Sequence, residues 1–399
     1  MQPIEQWARW ARGSTGGVRR AASQVSSTWE EPRATARYRT GVSLHSHTSC
    51  SEESMTFAHR FLTGFPGVRT LFGRYEKACQ HRHGLQLDFV RAFWRPPLLP
   101  KMAWDLERRQ IARHGLEALV SITDHDTIEA PMLLRTVPTS RHIPVSVEWT
   151  APFGATEIHL GIHNLPSADG SDWMRRFACY TAAPGDRKML SMLRELDAVP
   201  GVLTVLNHPM WDLQKIGQDI HLREVLRFLA SAARTVHAME LNGLRNAREN
   251  REVARLARET GHLLMAGGDR HGLEPNACIN LTSARNFAEF VEEIRIDRRS
   301  HVLFLDQYKR PWEQRLLEST LDAVTDFPEF MPGWQRWDER AFHADSEGTM
   351  RPLSELWATG RAPLPLRTAI AAVRLGRIRT ISRGLGLALS PRQMEWEIL

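Results

Sequence analysis

The residues best equipped for chemistry come in short groups of histidine and carboxylate, each carried on or behind a short apolar run. Val42-Ser43-Leu44 leads into His45-Ser46-His47, and Val120-Ser121-Ile122-Thr123 into Asp124-His125-Asp126. Val145-Ser146-Val147 ends at Glu148, and Glu157-Ile158-His159-Leu160 follows. Leu203-Thr204-Val205-Leu206 runs into Asn207-His208-Pro209, and Leu263-Leu264-Met265-Ala266 towards Asp269-Arg270-His271. Such runs read as buried strands, which places the polar groups at strand C-terminal ends. Positions i and i+2 of a strand share a face, so His45 with His47, and Asp269 with His271, can enter one site. Imidazole with carboxylate and no thiolate suits divalent Zn, Mn or Fe better than Ca or Mg. The donors outnumber the ligands of one tetrahedral ion, which implies a centre of two or three metals. Centres of that kind clamp phosphoryl oxygens and generate hydroxide from water.

Each group alone has a plainer reading. An HxH pair is more often incidental than metal-binding, Glu148 alone could be a salt-bridged carboxylate, and His208 before Pro209 could cap a helix or fill a core. His159 and His163 share a face of one strand, and at least one of them can be structural. Asp124 and Asp126 flank His125 and read as supporting or capping groups. Repetition at successive strand ends carries the inference.

The elements that must position these groups alternate along the chain. Strands are expected from Thr40 to Leu44, Ala118 to Thr123, Ile143 to Glu148, Glu157 to Ile162, Leu203 to Leu206, Val236 to Leu241 and Leu263 to Ala266. Helices are expected from Lys101 to His114, Pro184 to Leu196, Leu222 to Ala232 and Asn246 to Glu259, with Gly115 and Gly261 as stop signals. This alternation indicates a parallel α/β architecture of barrel-like form, with its active site at the strand C-terminal ends. Asn276 to Thr282, a helix from Phe287, and His301 to Leu305 close or flank the layer. The expected organisation is a basic N-terminal appendage over 1–39, a catalytic domain over 40–309, and a helical, basic C-terminal region over 310–399.

Composition sets the outer bounds. The 399 residues are 42% hydrophobic and 25% charged, an ordinary globular balance. Cys50, Cys79, Cys179 and Cys278 show no CxxC spacing and imply no disulfide framework. No apolar run reaches the ~18 residues of a membrane span, and the Arg-containing N-terminus lacks the apolar core of a secretory signal. A cytoplasmic protein is the expectation. Residues 1–40 carry a formal charge of +4 and residues 351–399 carry +5, which leaves 41–350 at −3. Attraction to nucleic acid would therefore reside in the tails, and is not favoured as the main activity.

Taken in order, His45-Ser46-His47-Thr48, Ile122-Thr123-Asp124-His125-Asp126-Thr127, Val147-Glu148, His159-Leu160-Gly161, Asn207-His208-Pro209 and Gly268-Asp269-Arg270-His271 resemble the successive motifs of the PHP (polymerase and histidinol phosphatase) superfamily. The resemblance spans residues 40–305. It implies a distorted (β/α)7 barrel of the TIM-like kind, a trinuclear centre of Mn, Zn or Fe, and phosphoester hydrolysis. Its relatives act on histidinol phosphate, nucleotides or nucleic-acid ends. The ligands it implies are His45, His47, His125, Glu148, His159, His208, Asp269 and His271, with Asp269, His271 and His208 at the reacting centre.

Two features depart from that pattern. The family places Ser-Asp a little beyond the second histidine of the first motif, where this chain has Ser51-Glu52. Glu52 is the expected ligand on a longer arm, and Glu53 could substitute. The segment 53–99 is long for this connection and reads as an insertion at the mouth, a lid or a substrate-selecting wall. Arg270, Arg245, Lys77 and Arg91 are the candidate contacts to substrate phosphate. The expected function is a metal-dependent phosphoesterase acting on a small phosphorylated substrate. The alternatives are a nuclease at nucleic-acid ends, an amidohydrolase-like C–N hydrolase, or a non-catalytic metal-binding regulatory domain. Scarce lysine disfavours an amidohydrolase with a bridging lysine, and the acidic-leaning centre disfavours a duplex-binding groove.

Overall fold

The computed structural model describes residues 22–55, 76, 77, 79–81, 84, 88, 91–232, 235–357 and 360–374. The apolar runs form strands and the amphipathic stretches form helices, in a mixed α/β arrangement. In chain order the first half holds β1 (Ala22–Ser27), β2 (Thr40–Ser43), β3 (Glu53–Ser54), β4 (Phe93–Trp94), α1 (Pro100–Ala112), β5 (Glu117–Val120) and α2 (Glu129–Arg135). Then come β6 (Val145–Phe153), β7 (Thr156–Leu165), α3 (Gly170–Ala182), α4 (Asp186–Asp197), β8 (Leu203–Asn207) and α5 (Gln218–Ala232). β9 (Ala238–Asn242), α6 (Ala247–Thr260), β10 (Leu263–Gly267), β11 (Cys278–Thr282), α7 (Phe287–Glu292) and β12 (Arg299–Phe304) follow. The chain continues with α8 (Trp312–Ala323), β13 (Ala341–Ala344), β14 (Met350–Pro352), α9 (Leu353–Leu356) and α10 (Leu364–Arg374).

The strands form two five-stranded sheets, in the orders β1-β12-β11-β2-β5 and β10-β9-β8-β7-β6, and a small sheet β14-β13-β4-β3. The closed parallel barrel expected from the alternation is not what the ladders make. The two large sheets stay separate ladders, joined by isolated bridges at Ser46↔Arg270 and His125↔Glu148. They are also not wholly parallel. β7 runs antiparallel to both β6 and β8, and the first of these reversals follows from Phe153 pairing with Thr156 across a two-residue turn that permits only a hairpin. Gly154 of that turn has φ +57, and a Cβ there would meet Glu224 and Arg227 at 2.2 Å.

The expected appendage over 1–39 divides at residue 22. Residues 1–21 lie outside the described residues, and Ala22–Ser27 form β1, paired in parallel with β12 from Ala22↔Arg299 to Ser27↔Phe304. The region after residue 310 is not wholly helical either, since β13 and β14 belong to the small sheet. Of the insertion 53–99, β3 and β4 are described, whereas Phe57, Phe61, Phe65 and Phe72 lie outside the described residues. Among the described residues no helix is long and apolar enough to cross a membrane.

Alternation along the strands explains where the polar groups go. Leu203, Val205, Ala238, Leu263 and Met265 pack in one cluster with Val42 and Leu44 between the sheets. On the same faces, two or four residues further on, stand Asn207, Glu240 and Asn242. Each inward face is thus apolar at its start and polar at its end. The opposite faces pack under α3, α4, α5 and α6 through Trp149, Phe177, Tyr180, Leu193, Phe228 and Val253. α6 is closed at both ends, with the Asn246 side chain accepting from the Glu249 N–H and Gly261 at φ +76.

Phe177 is buried and stacked on Trp149 at 4.4 Å between centroids. Phe177→Ala should lower the unfolding free energy by about 3–5 kcal/mol. Arg175→Ala, on the exposed side of the same helix, should change it by less than about 0.5 kcal/mol. Chemical denaturation of the two variants checks the assignment of the buried face.

Candidate metal centre

The site forms where the polar ends of β2, β5, β6, β7, β8 and β10 meet. His45 and His47 follow β2, His125 follows β5, Glu148 lies in β6, His159 in β7, and His208 and Asp269 follow β8 and β10. Asp126, His208 and Asp269 have φ of 53, 28 and 52, a region that residues other than glycine seldom adopt. These strand ends therefore turn sharply just where the donors are presented, and strain of this kind gathers at functional sites.

His45 Nε2 lies 3.0 Å from His47 Nε2 and 2.9 Å from Glu148 Oε2. Glu148 Oε1 lies 3.2 Å from His159 Nδ1 and 3.2 Å from His208 Nε2. Asp269 Oδ1 lies 3.7 Å from His45 Nε2 and 3.6 Å from His47 Nε2. On the far side, Glu53 Oε2 stands 3.2 Å from His271 Nε2 and 3.4 Å from His125 Nε2, and Glu53 Oε1 stands 3.5 Å from His47 Nδ1. Four overlapping donor groups result: His47, Glu53, His125 and His271; His45, His47 and Asp269; His45, Glu148 and His208; His125, Glu148 and His159. Within each group the donor atoms lie within 4.8 Å of one another. That is close to the spacing of ligands held ~2.0–2.2 Å from one ion.

All eight histidine, glutamate and aspartate ligands expected from the motifs come together, and Glu52 does not join them. Glu52 is 52% exposed and pairs with Arg95 at 2.8 Å. Neighbouring strand positions face opposite ways, and β3 turns Glu53 inward, where Ser51 Oγ donates to it at 2.6 Å. Arg270 is also placed differently from expectation. Its guanidinium is buried and donates to the carbonyls of Gly272 and Leu273 and to Glu107 Oε1 at 3.1 Å, so its donors are spent inside the protein. Arg245 remains at the cluster, 3.6 Å from Asp269 Oδ2, with its guanidinium 3.5 Å above the Trp211 ring. Lys77 and Arg91 are exposed on the 53–99 segment, and among the described residues no ion pair brings either to the cluster. His163 is structural, buried with Nδ1 2.9 Å from Ser121 Oγ. Asp124 accepts from the Thr48 N–H and hydroxyl, and Asp126 from the Thr150 N–H, so both tie the donor loops together.

Glu240 is the participant that sequence reading passes over. It is buried in β9 and accepts from His45 Nδ1 at 2.6 Å, from the His208 N–H at 3.0 Å and from Asn242 Nδ2 at 2.8 Å. With Nδ1–H committed to Glu240, His45 turns its Nε2 to the cluster. His271 is fixed likewise, because its Nδ1 can only donate to the Asp269 carbonyl, 2.9 Å away. Gly267 makes room for Glu240, since a Cβ there would stand 1.5 Å from Glu240 Oε1. The one signal in the sequence is a carboxylate inside an apolar strand.

Charge balance within the cluster shifts its titrations. Burial raises the Glu148 pKa, but His45, His125 and His159 overcome this and hold it well below the ordinary carboxylate range. Burial disfavours the charged form of His159, yet Glu148 outweighs it and pushes this imidazole up to about 10. His271 is likewise pushed up to about 9, with Glu53 overcoming burial. His47 goes the other way, down to about 4, through burial first and then His271. Two tryptophan rings stand against the cluster: the Trp94 ring centroid lies 6.1 Å from that of His271, and the Trp211 ring centroid 5.1 Å from that of His208. The donor set fits divalent cations, because Glu53, Glu148 and Asp269 are buried anions that need positive partners.

Two outcomes follow for metal loading. His159 and His271 have pKa values above neutrality and carry protons when metal-free at pH 7.5, so metal binding must release protons and weaken as pH falls. Calorimetry in buffers of different ionisation enthalpy reads that release. Glu240→Ala should weaken metal affinity by about 10–100-fold, as loss of a carboxylate behind a ligating histidine does elsewhere.

No family model matches the chain, and no curated protein matches it significantly. Among solved structures, an amidohydrolase from Chromobacterium violaceum, with sulfate and no metal bound, shows a TM-score of 0.31 and 16% identity, over 44% of this chain and 84% of its own. A protein provisionally assigned as a metal-dependent phosphoesterase, from Bifidobacterium adolescentis, shows a TM-score of 0.30 and 15% identity, over 51% of this chain and 92% of its own. Likenesses this weak transfer neither fold nor activity to this chain.

Proposed function

We propose that this chain is a metal-dependent phosphoesterase of the PHP type, acting on a small phosphorylated substrate with two or three divalent ions of Mn, Zn or Fe. The observation that carries the reading is the convergence of His45, His47, His125, His159, His208 and His271 with Glu53, Glu148 and Asp269 into overlapping donor groups. Shared members, Glu148 above all, suit neighbouring ions better than one isolated ion. The bridges Ser46↔Arg270 and His125↔Glu148 support a distorted ring of seven strands, β2, β5, β6, β7, β8, β9 and β10, around that cluster.

When bound, the ions would polarise phosphoryl oxygens and supply a nucleophile from water at neutral pH. The rest of the work falls to the chain. Glu240 and the Asp269 carbonyl hold protons on the Nδ1 atoms of His45 and His271 and so aim their Nε2 atoms inward. We assign His208, Asp269 and His271 to the reacting centre: Trp211 and Trp94 stand against the two imidazoles, and Arg245 stands beside the carboxylate. Arg245 is the cation placed to meet a phosphoryl oxygen, and its planar fork suits that partner. The two tryptophans wall the mouth, limit water and favour charge-based recognition in a drier site.

Purified protein should contain about two or three transition-metal ions per chain, removable by chelator, and should hydrolyse members of a phosphomonoester and phosphodiester panel with Mn or Zn supplied. His47→Ala and Asp269→Asn should each cut kcat by about 10²-fold or more while the chain stays folded. Absence of bound metal, with no hydrolysis on adding Mn, Zn or Fe, would refute the reading.

A further inference from the structure

Glu53 reaches the cluster from a strand of two residues, too short to hold a buried carboxylate by itself. β3 is held by β4, through Glu53↔Trp94 and Ser54↔Phe93. β4 in turn is held by β13, through Trp94↔Ala341 and Phe93↔Phe342, and β13 by β14. The strands that back Glu53 therefore come from the C-terminal region, far along the chain. Side chains reinforce the join. Phe93 and Phe342 stack at 4.9 Å with 10° between ring planes, and the Arg95 guanidinium lies over both rings at 5.6 and 5.0 Å. The Arg95 N–H donates to the Arg340 carbonyl at 2.8 Å, and Trp334 Nε1 donates to the Pro97 carbonyl at 3.0 Å. Arg340 is buried just ahead of β13 and donates to the carbonyls of Thr325, Trp334, Gln335 and Arg336, which fixes where that strand begins.

The other two carboxylates stand on or behind longer strands of a large sheet. Glu148 lies in β6 of a five-stranded sheet and Asp269 follows β10 of the same sheet. We infer that the C-terminal strands β13 and β14 build one metal subsite, formed by His47, Glu53, His125 and His271, and leave the subsites around Glu148 and Asp269 to the large sheets. The inference rests on the metal-centre reading and adds a division of labour within it. The C-terminal region acts here as a brace: β13 and β14 hold β4, β4 holds Glu53, and that chain of strands sets whether one ion is held.

The test compares full-length wild type, Glu53→Gln, Phe342→Asp, the milder Phe342→Ala and the double variant Glu53→Gln/Phe342→Asp. Bound Zn and Mn per chain are read by elemental analysis after dialysis, together with thermal unfolding. Glu53→Gln should lose about one equivalent relative to wild type, with affinity at that subsite down by about 10–100-fold. Phe342→Asp should lose the same equivalent, Phe342→Ala should weaken it, and the double variant should lose no more than either single variant, because both act on one subsite. Full metal content in folded Phe342→Asp would overturn the brace while leaving the metal centre standing. Equal loss of every ion, or global unfolding of both Phe342 variants, would overturn it too, by showing that the strands support the whole fold. A metal-free wild type that takes up neither Zn nor Mn would overturn the metal centre and the brace together.

Discussion

Three carboxylates, Glu53, Glu148 and Asp269, are packed out of water within reach of six imidazoles. An isolated buried anion is costly enough that it must be neutralised or paired. In the metal-free chain the pairing comes from protonated imidazoles, and His159 and His271 sit high in pKa for that reason. Replacing those protons by divalent cations keeps the charge balance and exchanges a titrating network for a fixed one. The sheets, the turns at the strand ends and the supporting amides hold these groups within reach of one another.

The support is layered. Asn207 donates to Glu148 at 2.9 Å and Asn242 donates to both Glu240 and Asp269, so each of these carboxylates also accepts from a neutral donor. Asn242 is itself held by Asn250, which donates to the Tyr308 hydroxyl. Arg315 of α8 donates to the carbonyls of Gly243 and Arg245 and so fixes the loop from which Arg245 leans over Trp211. A C-terminal helix therefore bears on the surroundings of Asp269 through the backbone of one loop.

The strand-end donors were legible because each follows an apolar run directly, and β-strand periodicity then fixes the facing of His45 and His47. What escaped depends on contacts distant in sequence. Glu240 lies inside β9, and its meaning comes from His45 on β2 and from the missing Cβ at Gly267. The choice between Glu52 and Glu53 is a matter of one-residue register, set by β4 and beyond it by β13. The direction of β7 was available in the short Gly154-Ala155 connection, a hairpin signal that the surrounding α/β alternation obscured. β1 is polar and rich in serine, and only its pairing with β12 makes it a strand. Arg270 stands within a motif, but Glu107, far off in sequence, takes up its charge.

The left-handed backbone at Asp269 also governs how its charge can be removed without rebuilding the turn. Aspartate and asparagine are the side-chain-bearing residues that enter this conformation most readily, and they have nearly the same shape. Alanine at this position would remove the carboxylate and add backbone strain at once, mixing two effects in one variant. Asparagine removes the charge and keeps both the turn and an oxygen facing His45 and His47. Asp269→Asn thus separates the loss of charge from the loss of the turn, with Arg245 and Trp211 left as they are beside it.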